Sequence, residues 1–374
     1  MRVTLVTAVV ASVVGTGAAR AETAGGGAAS PNLETGDGPP EARAARSRVP
    51  VGGHPANVVP FTPPRGLRRP TRRDGLPRWF ADGGFCSTGC RPAARTGWPL
   101  RPFHRQHALR AGINELRTGS MHSGIDIQAR DGQAVYAMQS GTATVTEQGF
   151  DTNVQVGRFV YFHVLPWVRT GQYVSAYSTV VGTVRSPAGH VHVTDQIGRT
   201  ELNPLRPGGR VVGPWRDRAR PVVGIPLIRR DRRVSVEVYD PQSYVVRTTY
   251  PTPVLAPAAV AWRLRTKRGR RIGPLHWALR STRVYPFSIR HSVFAPGARG
   301  GGYLCFAYHP RCTPTWRYWL AGGLAPRLPR VAPGRYVLTV YAWDWAGNAG
   351  ALDVSFNRGG RQVGRKVPGG PTAA

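Results

Sequence analysis

The sequence predicts an all-β protein built from antiparallel sheets, on three observations. Between about residues 97 and 205 the chain breaks into short runs rich in β-branched and aromatic residues, each bounded by Gly or Pro. Beyond residue 213, longer stretches alternate apolar and polar residues at period two, which puts successive side chains on opposite faces of a strand. Helical patterns do not alternate with these runs, as the parallel sheet of a β-α-β protein would need.

The first 21 residues read as a secretory leader. Arg2 is the positive start, VTLVTAVVASVVGTGA the apolar stretch and Ala19-Arg20-Ala21 the small-x-small cleavage pattern. No later stretch approaches the ~18 apolar residues of a membrane span. The mature chain is therefore expected to be secreted or cell-wall associated, without stable membrane insertion. Residues 22–75 are dominated by Ala, Gly, Pro, Arg and Ser, with almost no aromatics. So little apolar surface cannot offset the entropy of ordering, and a disordered linker is expected.

A first domain is expected over 76–212. Its strand candidates are QAVYAMQSGTATVTEQG, RFVYFHVLPWV, QYVSAYSTVVGTV and HVHVTDQI, and PFHRQHALRAGINELR (102–117) is its one plausible helix. The loop-like NPLRPGGRVVGPW marks a boundary. RRVSVEVYD, AVAWRLRTKRGRRIG and GRYVLTVYAWDWAGNAGALDVSF then predict a β-sandwich over 213–356. The Gly-, Pro- and Arg-rich segment 357–374 is expected to be a disordered tail.

Four cysteines in an exported chain fit disulfides, and their spacing favours local bridges Cys86–Cys90 and Cys305–Cys312 among three possible pairings. A zinc site built from all four is the rival, disfavoured because each pair lies in a different expected domain. The net charge of +32 comes from 51 basic and 19 acidic residues, and Lys267 and Lys366 are the only lysines. Such a charge attracts polyanions. Export argues against nucleic acid as the partner, and arginine is scattered along the chain rather than clustered with aromatics. Weak attraction to anionic cell-wall polymers is what the charge supports.

Ten histidines are present, and two stretches place some of them with other ligating groups. In PAGHVHVTD, His190 and His192 alternate with Val191 and Val193, so both imidazoles share one strand face. That geometry suits a metal ligand beside a catalytic partner, two ligands, or a solvated pair with no role. In GSMHSGIDIQARDGQAV, His122 and Asp126 are four apart around Gly124, and the even spacing again gives a common face. One imidazole and one carboxylate from here, with one imidazole from the 190–192 strand, make the three protein ligands of a catalytic zinc site with an open fourth position. His163 sits in the β-prone FVYFHVLP, where a lone histidine is more often a packed strand residue. The chain has no Gly-x-Ser-x-Gly elbow, no Lys-bearing phosphate loop and no His-Glu-x-x-His helix.

Taken in order, these stretches resemble the lysostaphin-like zinc endopeptidases, which hydrolyse peptidoglycan. The resemblance rests on His122-Ser123-Gly124-Ile125-Asp126, Gly132-Gln133-Ala134-Val135-Tyr136-Ala137, Tyr161-Phe162-His163-Val164, Gly171-Gln172-Tyr173-Val174, His190-Val191-His192 and Asn203-Pro204. It covers roughly residues 100–206. It implies a small antiparallel β-sheet metallopeptidase domain of the duplicated hybrid motif type. It also implies Zn2+ held by His122, Asp126 and His192, with His163 and His190 as the catalytic histidines and peptidoglycan peptides as substrate. Ala188-Gly189-His190-Val191-His192-Val193 departs from the family's usual Gly-Pro-His-Leu-His-Phe, and NELRTGS lacks the Tyr that some members carry before the first ligand. The other expectation for this fold is a non-catalytic wall-binding or hydrolase-regulating module. PGRYVLTVYAWDWAGN resembles the closing strands of bacterial immunoglobulin-like modules, which implies that fold for the sandwich and an accessory role.

Overall fold

Strands and turns account for nearly all the regular structure of the computed structural model, which describes residues 62–76, 96–205, 212–244, 254–299 and 315–358. Residues 1–21, expected to be a leader, and all four cysteines lie outside the described residues. The fold class is all-β, and every pairing between the strands below is antiparallel. Among the described residues no helix is long and apolar enough to cross a membrane.

Eleven strands form the first region: β1 Leu109–Ala111, β2 Ile125–Gln128, β3 Ala134–Tyr136, β4 Gly141–Thr146, β5 Asn153–Val156, β6 Phe159–Phe162, β7 Val164–Pro166, β8 Tyr173–Val174, β9 Val180–Val184, β10 His190–Ile197 and β11 Thr200–Leu202. The main sheet runs β1-β2-β10-β6-β5-β4-β8 with β11 added to β10, and β3-β9-β7 make a second, smaller sheet. β10 is therefore an interior strand. Its Val191 and Val193 are fully buried in a core with Trp98, Ile125, Ile127 and Trp215. From His190 to Asp195 both faces of this strand are out of water, and parity decides which face carries which chemistry.

The second region comprises β12 Val222–Val223, β13 Leu227–Ile228, β14 Val234–Tyr239, β15 Ala259–Thr266, β16 Arg271–Arg280, β17 Arg317–Ala321, β18 Gly334–Trp343 and β19 Ala349–Arg358. β12, β13 and β17 pair with β14 in one sheet, and β16-β15-β18-β19 form the other. Val236, Val238 and Leu320 of the first sheet share one core with Trp262, Leu264, Leu338 and Val340 of the second, which is the packing of a sandwich. Contacts cross the expected 212/213 boundary. Trp345, Leu255 and Ala258 lie in the first core, and Met121 lies in the second. The Asn114 side chain accepts from Tyr285 N at 2.7 Å and donates to Arg283 O at 2.8 Å.

Two expectations are corrected. Residues 102–117 do not form a helix. They run through turns and the short strand β1, where the Gln242 side chain holds both the N–H and the carbonyl of Leu109, at 3.3 and 3.0 Å. Pairing with β2 and this side-chain clamp replace helical bonds, so tertiary partners override local propensity. The expected linker also ends earlier than residue 75, because residues 62–76 pack against the sandwich. Arg68 pairs its backbone with Ala351 and its guanidinium with Asp74 (2.8 Å) and Asp353 (3.2 Å). Asp74 is buried and also accepts from Thr71 N at 2.6 Å and the Tyr341 hydroxyl at 3.0 Å. Burial alone would raise the Asp74 pKa, but Arg68, Thr71 N and Tyr341 outweigh it and hold the carboxyl well below the usual range. A count of apolar residues misses a segment anchored by charge.

Candidate metal centre

Strand pairing builds the site. β10 lies between β2 and β6, with His192 directly opposite Asp126 on one side and Phe162 on the other. Gly124 permits the approach of β2 to β10: a Cβ there would collide with the Val193 carbonyl and come within 2.8 Å of His192 Nε2. His163 follows β6 with a left-handed φ of 59°, an uncommon conformation for a residue with a side chain, and this bend separates β6 from β7.

All five residues singled out in the sequence are brought together and buried. His122 Nε2, His192 Nδ1 and Asp126 Oδ1 form a triangle with edges of 2.8, 2.9 and 3.0 Å. His190 Nε2 lies 3.6 Å from the same Asp126 oxygen. The rings of His163 and His190 stand 4.8 Å apart. His54 and His309 lie outside the described residues, and His276 stacks on Trp262 at 4.3 Å in the sandwich.

Hydrogen bonding assigns the nitrogens. His122 Nδ1 lies 2.7 Å from the Gly112 carbonyl, which only accepts, so Nδ1 carries the proton and Nε2 presents a lone pair. His192 Nε2 faces the hydroxyls of Thr194 (3.0 Å) and Ser123 (3.3 Å), which can accept its proton and turn the Nδ1 lone pair inward. In that state two imidazole lone pairs and a carboxylate oxygen converge with no proton between them, an arrangement a cation satisfies. The buried His122/Asp126/His192 group can therefore hold a metal ion. The carbonyl and hydroxyls behind the rings fix their orientation, as outer partners do in metal sites.

The surroundings set the charge. Asp126 Oδ2 accepts from Arg117 Nη2 at 3.0 Å. Burial alone would raise the Asp126 carboxyl, yet the neighbouring histidines outweigh it and hold the pKa well below the usual range. Burial lowers His192, against the pull of Asp126. His190 is pushed well below an ordinary imidazole by burial, reinforced by Arg110 and His163 and opposed by Asp126. Arg110 Nη1 stands 3.3 Å from His190 Nδ1, and both groups donate to Ala188 O, at 2.8 and 2.7 Å. His190 thus keeps its proton on Nδ1 and presents Nε2 to the centre. His163 Nδ1 points to Phe150 O (3.3 Å) and Asp151 (3.5 Å), which makes its Nε2 the acceptor. Glu115 backs the site through Gly112 N at 2.9 Å, and burial pushes its carboxyl up to about 7.

Sequence reasoning missed Arg110, Arg117, Thr194 and Glu115. Thr194 was legible as the next even position after His190 and His192. The other three sit in the segment read as a helix, where charged residues look solvated. The chain matches no protein-family model, and a search of curated proteins finds no match.

Proposed function

We propose that the His122/Asp126/His192 centre binds zinc and that the chain is an exported endopeptidase cutting peptide bonds in cell-wall peptidoglycan. The observation that carries the chemistry is the convergence of two imidazole nitrogens and one carboxylate oxygen beside two further histidines with acceptor nitrogens. Two nitrogens and one oxygen suit zinc better than the hard cations. Support for the substrate class comes from the ordered resemblance to lysostaphin-like peptidases and from the leader.

Zinc bound here would supply a Lewis acid and a water acidified from ~15.7 to about pKa 7. The chain's own groups do the rest. Gly112 O and the Thr194 hydroxyl orient the ligand rings. Arg117 holds Asp126 Oδ2 by a hydrogen bond and leaves Oδ1 turned toward the imidazoles. His190 and His163, each with Nδ1 turned to an acceptor, would take up a proton at Nε2 and return it to the leaving amine.

The test measures bound zinc and new amino groups released from peptidoglycan sacculi, with His122→Ala beside the wild type. One zinc per chain with amine release, both lost in the variant, is the expected result. Zinc without amine release on any wall chemistry would favour the non-catalytic wall-binding or regulatory module. Absence of zinc binding would remove the reading.

A further inference from the structure

A second group of ligating side chains lies outside the histidine centre. Asp217, Asp240 and Asp344 each place a carboxylate oxygen within 4.8 Å of the others. They come from the connection before β12, the end of β14 and the end of β18. Asp240 and Asp344 have no exposed surface, and Asp217 retains 7 %.

Their hydrogen bonds are unequal. Asp217 Oδ1 accepts from Ala219 N and Ser243 N at 2.9 Å each. Asp344 accepts from Asn348, through the backbone N–H at 2.6 Å and the side-chain amide at 2.5 Å. Asp240 has no partner on either carboxylate oxygen, and Asp217 Oδ2 is also buried without one. Among the described residues, none of the three is paired with an arginine, lysine or histidine. Left neutral, Asp240 buries two carboxyl oxygens to which no described group donates a hydrogen bond. An ionised Asp240 is worse placed, because a buried charge needs a counter-charge.

We propose that Asp217, Asp240 and Asp344 form a site for a hard divalent cation that joins the three segments. The donors are all oxygens, which selects calcium or magnesium over zinc. Calcium fits best, because its coordination is flexible and readily takes carboxylates with backbone carbonyls. In the absence of an ion, burial and the neighbouring carboxylates push Asp344 up to about 8 and Asp240 well above the usual range, which is the reverse of a relaxed surface cluster.

The position gives the ion a structural task. Asn348, which holds Asp344, also donates to Asp217 O at 2.9 Å. The next residue after Asp344 is Trp345, buried in the first core. Its ring lies against Gly112, where an added Cβ would approach it to 3.3 Å. A cation on Asp344 would thus brace the turn that backs the loop carrying the Gly112 carbonyl.

The experiment uses the full chain, stripped with chelator and titrated with calcium chloride alone and magnesium chloride alone. Heat of binding and the thermal midpoint are recorded for wild type, Asp240→Asn and His122→Ala. One equivalent of either ion per chain, with a raised midpoint, both lost in Asp240→Asn and kept in His122→Ala, is expected. Retention in His122→Ala separates this site from the zinc reading, which can fail without it. Should Asp240→Asn not fold, Asp217→Asn, at the edge of the cluster, decides by at least a tenfold loss of affinity. No binding of either ion to wild type, or binding and stabilisation that survive these substitutions, would overturn the proposal.

Discussion

The two buried clusters differ in the properties that govern chemistry. At the first, two imidazoles and one carboxylate converge, Arg117 offsets the carboxylate, and His163 and His190 stand beside it with defined tautomers. At the second, three carboxylates converge with no paired cation among the described residues and no neighbouring histidine in the group. The first set of donors is neutral apart from Asp126 and can bind a borderline ion while leaving nearby groups to move protons. The second is made only of hard carboxyl oxygens, with no imidazole in the group. Convergence of donors makes a place for an ion. Chemistry needs further ionisable groups whose protonation the surroundings have set.

The comparison breaks most visibly at His163. Replacing His163 by Ala should leave zinc bound and cut amine release by about 10²–10⁴, the usual worth of a positioned acid or base. Equal loss of zinc and rate would make His163 a ligand or a packing residue, and the distinction between holding the ion and doing chemistry would lapse. A smaller effect is expected at Arg117. Arg117→Ala removes the charged hydrogen bond to Asp126 Oδ2 and should weaken zinc affinity about 10–100-fold, as losing an outer partner does. Calcium affinity should be unchanged. Competition with a zinc-sensitive dye, run beside a calcium titration, separates the two.

The subtlest difference is in the response to pH of chelator-treated protein. His190 and His192 have pKa values lowered by burial, so below about 6.5 the unfolded chain binds protons there that the folded chain does not. Their contribution to stability is full above that value and is lost as pH falls. Asp344 is raised to about 8 and Asp240 well above the usual range, so the folded chain holds protons that the unfolded chain has released. Their contribution is full below about 4 and is lost as pH rises toward 8. Between about pH 5 and 6.5 the two groups pull the thermal midpoint in opposite directions, and above that only the aspartates act. His190→Ala should make the slope with pH more negative and Asp344→Asn more positive. Slopes that move the same way would show that the two clusters do not titrate as opposites.

Much of the first site was legible because strand parity is local. His190 and His192 share a face whatever lies beyond them, and the spacing of His122 and Asp126 places them with the same confidence of geometry on β2 and its approach. Gly124 could be read as a spacer but not as the point where β2 meets the Val193 carbonyl. Arg110 and Arg117 were illegible, since their segment carries a helical pattern and only contacts with Gln242 and β2 give it another path. The strap at 62–76 was misread for a related reason: Arg68 and Asp74 are stabilised by groups on Tyr341 and Asp353, far along the chain. Asp217, Asp240 and Asp344 carry no shared local pattern at all.

The sequence by itself determined the all-β class, the alternation of faces along β10 and the identity of the histidines and carboxylate available for a metal. These follow from side-chain period and donor chemistry, which act over a few residues. Tertiary structure alone decided that β10 lies between β2 and β6, that Arg117 meets Asp126, and that three distant aspartates share one buried space. Those appositions depend on which strand faces must leave water together, and that choice is made by the whole chain at once.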